Sequence, residues 1–435
     1  MQIKAAINKA QSIFSRENLQ NLKSNDRKFL QSSVLFGSMF LSMGLTFISS
    51  VVLARNLGPE LYGDLKFIYI VWSLLALLVS FGYFHSGSRV LVINDDNQKI
   101  REITGTILSI AFIMGILISL VSLLIANPLD KIFTTQIAVG MMSVAPLLIF
   151  IPITAALPLI LQGTNKIYHL SIYKLLPEVI YLFCIIILAY LGRISPINAI
   201  ISKQLSIYIV IFFIVISIRP SFKAILVWWR EIRTQNRSYG GPVYRGSLAN
   251  VASSQVIRLS LSYWVDNTAI GFYSLARSLV EPLKFVPNAV ATSSFRSFAS
   301  QTRISKRVLI ATVAFSITSL FFALLFFGKP LSWIYTDSFA PVSAIARVFA
   351  FSAILHGFGD LFNRFLGAHG KGNELRNAAY LVGLVNVVGF FILVPRFGTL
   401  GAVITTVLAS ITYFLFIYNS YRKYARQSGP ANPEE

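Results

Sequence analysis

Windows of roughly 20 apolar residues, the length a helix needs to cross a bilayer, recur along the whole of this 435-residue chain. Twelve can be drawn, at 34–54, 67–84, 104–125, 137–160, 170–191, 198–218, 246–265, 268–294, 308–327, 339–359, 375–394 and 399–418. The first three, the fifth and the last two are clear. The seventh, eighth and tenth carry polar and charged residues. Charged residues make up only 13% of the chain and hydrophobic ones 55%, with a mean hydropathy of +0.67, whereas soluble domains are about a quarter charged. The expected fold class is an all-α polytopic membrane protein with about 12 transmembrane helices.

Basic residues in short loops are retained on the cytoplasmic side. With both termini inside, the great majority of the 38 Lys and Arg residues fall in inner segments, and the outer loops hold only Arg55, Lys66, Lys131, Arg193, Lys329 and Arg396. The net charge of +21 then reads as a topology signal and an attraction to anionic membrane lipids at the inner face. It calls for no nucleic-acid partner, and no nucleic-acid-binding module is recognisable.

The single cysteine, Cys184, excludes a disulfide framework. The N-terminus lacks a short apolar stretch followed by a small-residue cleavage site, so the first span is expected to remain as an anchor. Residues 1–33 form a basic segment in which Ile3, Ile7, Ala10 and Phe14 keep helical spacing, which suits either an amphipathic surface helix or a merely basic tail. Residues 219–245 form a cytoplasmic linker containing Arg219, Lys223, Arg230, Arg233, Arg237 and Arg245, with Trp228 and Trp229 as expected interfacial anchors. It separates an N-lobe, 34–218, from a C-lobe, 246–418. A disordered cytoplasmic tail is expected over 419–435.

The halves echo one another. Val51-Val-Leu-Ala-Arg-Asn-Leu-Gly-Pro-Glu-Leu-Tyr-Gly63 is matched 211 positions later by Val265-Asp-Asn-Thr-Ala-Ile-Gly-Phe-Tyr-Ser274, which aligns Asn56 with Asn267, Tyr62 with Tyr273 and Lys66 with Arg277. Leu161-Gln-Gly-Thr-Asn-Lys166, after the fourth span, corresponds to Leu366-Gly-Ala-His-Gly-Lys371 after the tenth. Gly192 and Gly398 precede the sixth and twelfth spans. Six spans return the chain to the side it started from, so the two lobes share one orientation and their pseudo-two-fold axis runs along the membrane normal.

Leu53-Ala-Arg-Asn-Leu-Gly58 with Tyr62-Gly63, Gly271-Phe-Tyr-Ser-Leu-Ala276, and Leu161-Gln-Gly163 with Lys166 resemble the polysaccharide flippases of the multidrug, oligosaccharidyl-lipid and polysaccharide (MOP) exporter superfamily, which include the O-antigen flippase. The resemblance covers roughly residues 30–420. It implies two six-helix lobes in a V around a central cavity, residence in the bacterial inner membrane, and movement of an undecaprenyl-diphosphate-linked glycan between leaflets by alternating access. Many relatives carry an acidic residue in the seventh span, where this chain reads Ile257-Arg258, so an ion-coupling role is not carried over to that position.

Charge at membrane depth costs about 2.5–3.5 kcal/mol on insertion scales, so it faces a cavity or a partner. The eighth span carries Arg277, Glu281 and Lys284 at i, i+4 and i+7, on one helical face. Arg258 in the seventh span has Ser247, Asn250 and Ser254 on much the same side, and the tenth contributes Arg347. In the N-lobe the candidates are Lys174 and Glu178, beside a hydroxyl face of the first span at Ser38, Ser42, Thr46 and Ser49. The C-lobe residues sum to +3 and the N-lobe pair to zero, a polarity that favours an anionic head group over cationic drugs.

The four histidines show no metal-ligand spacing, and Gly367-Ala-His-Gly370 lacks the Gly-Lys-Ser/Thr ending of a phosphate loop, so no cofactor and no direct ATP use are expected. The energy source stays open among an ion gradient (proton or sodium), the membrane potential and consumption of the product outside. The leading reading is a non-enzymatic flippase. The alternatives are a multidrug or small-molecule ion-coupled antiporter on the same scaffold, a membrane polymerase or lipid-dependent glycosyltransferase, and a membrane scaffold.

Overall fold

The structure, a computed structural model, describes residues 24–293, 298 and 301–427. Eight helical segments among them are long and apolar enough to span a membrane. Two of these, Leu30–Ser80 with 51 residues and Gly372–Gln427 with 56, would run roughly 75 and 85 Å if straight, against about 30 Å of hydrocarbon. Each is a pair of spans. The first breaks at Gly58 (φ 73°, ψ 174°) ahead of Pro59, the second at Gly398 (φ 54°, ψ −130°). Only glycine reaches such backbone angles cheaply. Gly241–Trp264 and 267–293 supply the less apolar seventh and eighth spans. The twelve helices are thus 24–57, 59–80, 97–133, 138–163, 167–190, 196–218, 241–264, 267–293, 306–326, 337–368, 372–397 and 399–427.

Several boundaries differ from the hydropathy windows, and three of them have a clear local cause. The second span begins at 59 rather than 67, because Glu60, Asp64 and Lys66 lie within its first two turns. The third runs to Phe133, where Asp130 accepts hydrogen bonds from the Thr135 hydroxyl at 2.7 Å and the amides of Ile137 and Ala138 at 2.9 and 3.0 Å. The twelfth continues to Gln427, so residues 419–427, expected to be disordered, are helical. They are held by Tyr421, which packs on Phe362 and Phe365 and accepts a 3.2 Å hydrogen bond from the Ile304 amide. The segment 1–23, with its amphipathic pattern, and 428–435 lie outside the described residues.

The echo after the fourth and tenth spans is matched by equal backbone geometry. After the fourth span the amide of Lys166 bonds to Leu161 O at 2.8 Å and that of Asn165 to Gln162 O at 3.1 Å. After the tenth, Lys371 bonds to Leu366 O at 3.0 Å and Gly370 to Gly367 O at 3.1 Å. This paired bonding is the Schellman cap, which needs a left-handed residue past the helix end. Asn165 (φ 52°) and Gly370 (φ 69°) supply it. The 211-residue echo goes further, since its two copies touch. Gly271 approaches the Pro59 carbonyl and Gly63 so closely that a β-carbon there would lie 3.1–3.3 Å from them, and Asn267 donates to Asp64 at 2.6 Å.

The linker is folded. Ile225–Gln235 is a helix followed by a π-turn at Asn236–Gly240, and both pack on the short helix Tyr83–Ile93. Trp229 stacks on Tyr83 at 5.0 Å, and Trp228 donates to Glu102 at 3.0 Å. Both tryptophans, expected as interfacial anchors, are turned to protein. Leu226 and Val227 are the exposed apolar residues instead, at 75% and 66%. Asn236 fastens the turn by donating to Phe81 O at 3.0 Å and accepting from Ser86 at 2.9 Å.

Candidate functional site: a cationic cavity between the lobes

A cavity of about 1010 Å³ lies between the first, second, seventh, eighth and ninth spans. Phe40, Phe47, Phe322 and Phe326 give it apolar walls. Its polar lining comes from Thr46 and Ser50 of the first span, Lys66, Tyr69 and Ser73 of the second, Gln255 and Arg258 of the seventh, and Ser274, Arg277, Ser278 and Glu281 of the eighth.

Pro282 shapes this lining. A proline within a helix removes one backbone donor and clashes with the preceding turn, and Glu281–Lys284 tightens into a 3₁₀ segment between two α-helical stretches. Arg277 lines both the cavity and a smaller chamber behind the eighth span, Glu281 only the cavity and Lys284 only the chamber. The three residues therefore do not share one face as a continuous helix would place them. Glu281 and Lys284 remain in contact at 3.4 Å, with side chains 52% and 15% exposed, a pair worth little net stability.

That pairing leaves three cations in the cavity. Neither Lys66, Arg258 nor Arg277 has a carboxylate within 4.0 Å among the described residues, where the ion pairs are Lys203–Glu178 and Lys284–Glu281. The Arg258 Nε is buried without a hydrogen-bond partner, and Arg258 lies within electrostatic reach of both Arg277 and Lys66. The Lys66 ammonium sits 4.8 Å from the centre of the Tyr62 ring. Cations gathered without counter-charge are costly unless a ligand or solvent compensates them.

The remaining expected site residues fall elsewhere. Arg347 is exposed and lies beside Gly328, where the ninth span ends. Lys174 is exposed near the Tyr173 ring. Glu178 does not pair with Lys174 four residues away. It binds Lys203 of the sixth span at 2.6 Å and accepts from Thr46 at 3.1 Å, tying three N-lobe helices together. Truncating one partner of a largely buried ion pair strands the other, so Glu178→Ala is expected to cost about 3 kcal/mol, read as a lowered Tm in detergent, with Glu178→Ala, Lys203→Met recovering most of it. Ser247 does not line the cavity, and the side chains of Asn250 and Ser254 are outside the described residues. Lys66 is the site residue the sequence reading assigned to an outer loop, and its alignment with Arg277 was the available signal.

One end of the cavity is shut. There the start of the second span, 58–64, meets Asn267–Gly271, Tyr335 reaches Ser50 at 3.4 Å, and Phe339 packs edge-on against both Tyr62 and Phe272. Ser262 supports the contact by donating to Asn267 at 2.5 Å.

Residues 31–295, more than half of the chain, match the family described as polysaccharide biosynthesis protein. The chain belongs to that family. No curated protein sequence matches it. Among solved structures it is similar to an inward-facing multidrug resistance MATE family transporter of the MOP superfamily, with a TM-score of 0.68 and 15% identity over 89% of this chain and 96% of that one. It is equally similar to the lipid II flippase MurJ in an inward closed conformation, at TM-score 0.68 and 16% identity over 92% and 90%. A MOP superfamily transporter from Pyrococcus furiosus, described as having a binding pocket of reverse polarity, matches at TM-score 0.53 and 14% identity over 91% and 96%. The two-lobed, twelve-helix fold of this polysaccharide-biosynthesis family member is that of these MOP superfamily structures, and its apolar helices make it a multi-pass membrane protein.

Proposed function

We propose that this protein is a flippase for a lipid-diphosphate-linked oligosaccharide, working by alternating access between lobes 34–218 and 246–418. The observation that carries this reading is the cluster of Lys66, Arg258 and Arg277, without a carboxylate within 4.0 Å among the described residues, inside a cavity walled by phenylalanines. A diphosphate brings about two negative charges, and each cation about 4 Å from a phosphate contributes roughly 4 kcal/mol at an effective dielectric near 20. The same cluster repels cationic drugs. The phenylalanine walls suit the apolar part of a lipid-linked substrate, and the cavity volume exceeds what a single sugar ring needs.

The proposed orientation puts both termini and the linker in the cytoplasm of a bacterial cell, with the closed Gly58 end outward. With Cys184 replaced by serine, Ser238→Cys in the linker should resist an impermeant thiol reagent applied to intact cells, and Gln136→Cys after the third span should react. Labelling of the linker cysteine from outside would reverse the orientation.

The functional test is binding by the purified protein. Undecaprenyl diphosphate should bind and be displaced by pyrophosphate-bearing glycolipid, whereas a cationic dye should not compete. Tight dye binding with no lipid-diphosphate binding would favour a multidrug transporter.

A further inference from the structure

Behind the eighth span the C-lobe holds a second, partly open space of about 130 Å³, lined by the seventh, eighth, tenth, eleventh and twelfth spans. Arg277 lines both this chamber and the main cavity. Lys284 and His356 also line it, together with the amide of Asn386, which is 7% exposed, and the hydroxyl of Ser410, 6% exposed. No carboxylate lines it among the described residues. The acidic groups nearby are already engaged: Glu281 contacts Lys284 from the main-cavity side at 3.4 Å, and Asp360 accepts from Tyr413 at 2.9 Å, with His356 stacked on the Tyr413 ring.

Donors outnumber acceptors here. Arg277 is a permanent cation with five N–H groups and no acceptor, and Asn386 offers two more donors. Ser352 donates to Ser410 at 2.8 Å, which leaves the Ser410 proton available. Thr406 offers nothing comparable, because its hydroxyl faces both Tyr273 at 2.7 Å and the Ala402 carbonyl at 2.9 Å. A small space with a cation and several donors in its lining suits an anion, and its size admits a halide with a few waters but not a sugar ring.

We propose that this chamber binds a small free inorganic anion of halide size, held by Arg277, Asn386 and Ser410. The anion is a counter-charge for Arg277 while the main cavity holds no substrate. The site rests on the cationic-cavity reading only through the shared Arg277, since its other ligands do not line the main cavity.

The experiment uses the purified full-length protein in gluconate buffer at constant ionic strength, titrated with bromide. A saturable rise in Tm is expected, and crystals soaked in bromide should show an anomalous peak beside Asn386. Asn386→Leu removes both amide donors at nearly constant volume and should weaken bromide binding about tenfold or more, one charged hydrogen bond being worth that much. Ser410→Ala, a smaller change, should weaken it severalfold and covers the case in which Asn386→Leu does not fold. Both variants should still bind lipid diphosphate, so this proposal and the proposed function can fail separately. Bromide binding that is absent, unaltered in both variants, or located beside Lys66 and Arg258 would overturn the proposal.

Discussion

Replacing Arg258 and Arg277 together by glutamine is expected to lower glycan export by about a hundredfold or more, with the protein inserted at its normal level. The two guanidinium groups belong to neighbouring spans, line one cavity and lack carboxylate partners within 4.0 Å among the described residues. Each contributes up to roughly 4 kcal/mol towards a phosphate at contact, and about 1.4 kcal/mol is a factor of ten in affinity. Solvent in the open cavity reduces the first figure, which is why the forecast stays near two decades. Arg277→Lys and Arg258→Lys should each keep appreciable export, because charge matters more than fork geometry in a cavity this wide. Lys66→Gln should behave like either single glutamine variant. Lys284→Gln should be much milder, since Lys284 faces the chamber behind the span and contacts Glu281. Accumulation of a lipid-linked glycan on the inner leaflet, against membrane protein level, is the measurement. Wild-type export by the double variant would remove the diphosphate reading.

This pattern shows where the sequence was legible. Apolar length alone gave twelve spans, because the bilayer permits little else at that periodicity, and the echo after the fourth and tenth spans was matched by the same helix cap. Lys66 was missed because Glu60, Asp64 and Lys66 fall in the first turns of the second span and end a hydropathy window there. Arg258 and Arg277 were legible because apolar residues flank them at membrane depth. Glu178 was read against Lys174, one turn away in sequence. Its partner Lys203 lies on the next span, and one sequence does not reveal which faces of two helices meet. Lys284 was placed in the cavity by a straight-helix projection, which the 3₁₀ turn at Pro282 overrides.

Gly63 offers the sharpest test of alternating access. It lies in the second span with its α-carbon against the Asn267 backbone, where an added β-carbon would overlap the Asn267 carbonyl. Two backbones that touch through a glycine cannot yield to a side chain by rotamer adjustment, so a bulkier residue must separate the segments or abolish the contact. Those segments are the two copies of the repeat, one from each lobe, and their contact closes this end of the cavity. Gly63→Leu is therefore expected to hold the Gly58 end open and reduce export to background while the two lobes stay folded. Ser50→Cys, shielded in the parent by Tyr335 at 3.4 Å, should then become reactive from that end at least about tenfold faster, with Cys184 replaced by serine in both proteins. Gly44→Ala is the matched control: it sits in the first span, lines the cavity, and has no atom within 4 Å of its would-be β-carbon. It should leave both export and labelling near the parent values, and alanine in place of glycine favours the helix slightly. Normal export by Gly63→Leu would mean that closing this end is not part of the transport cycle.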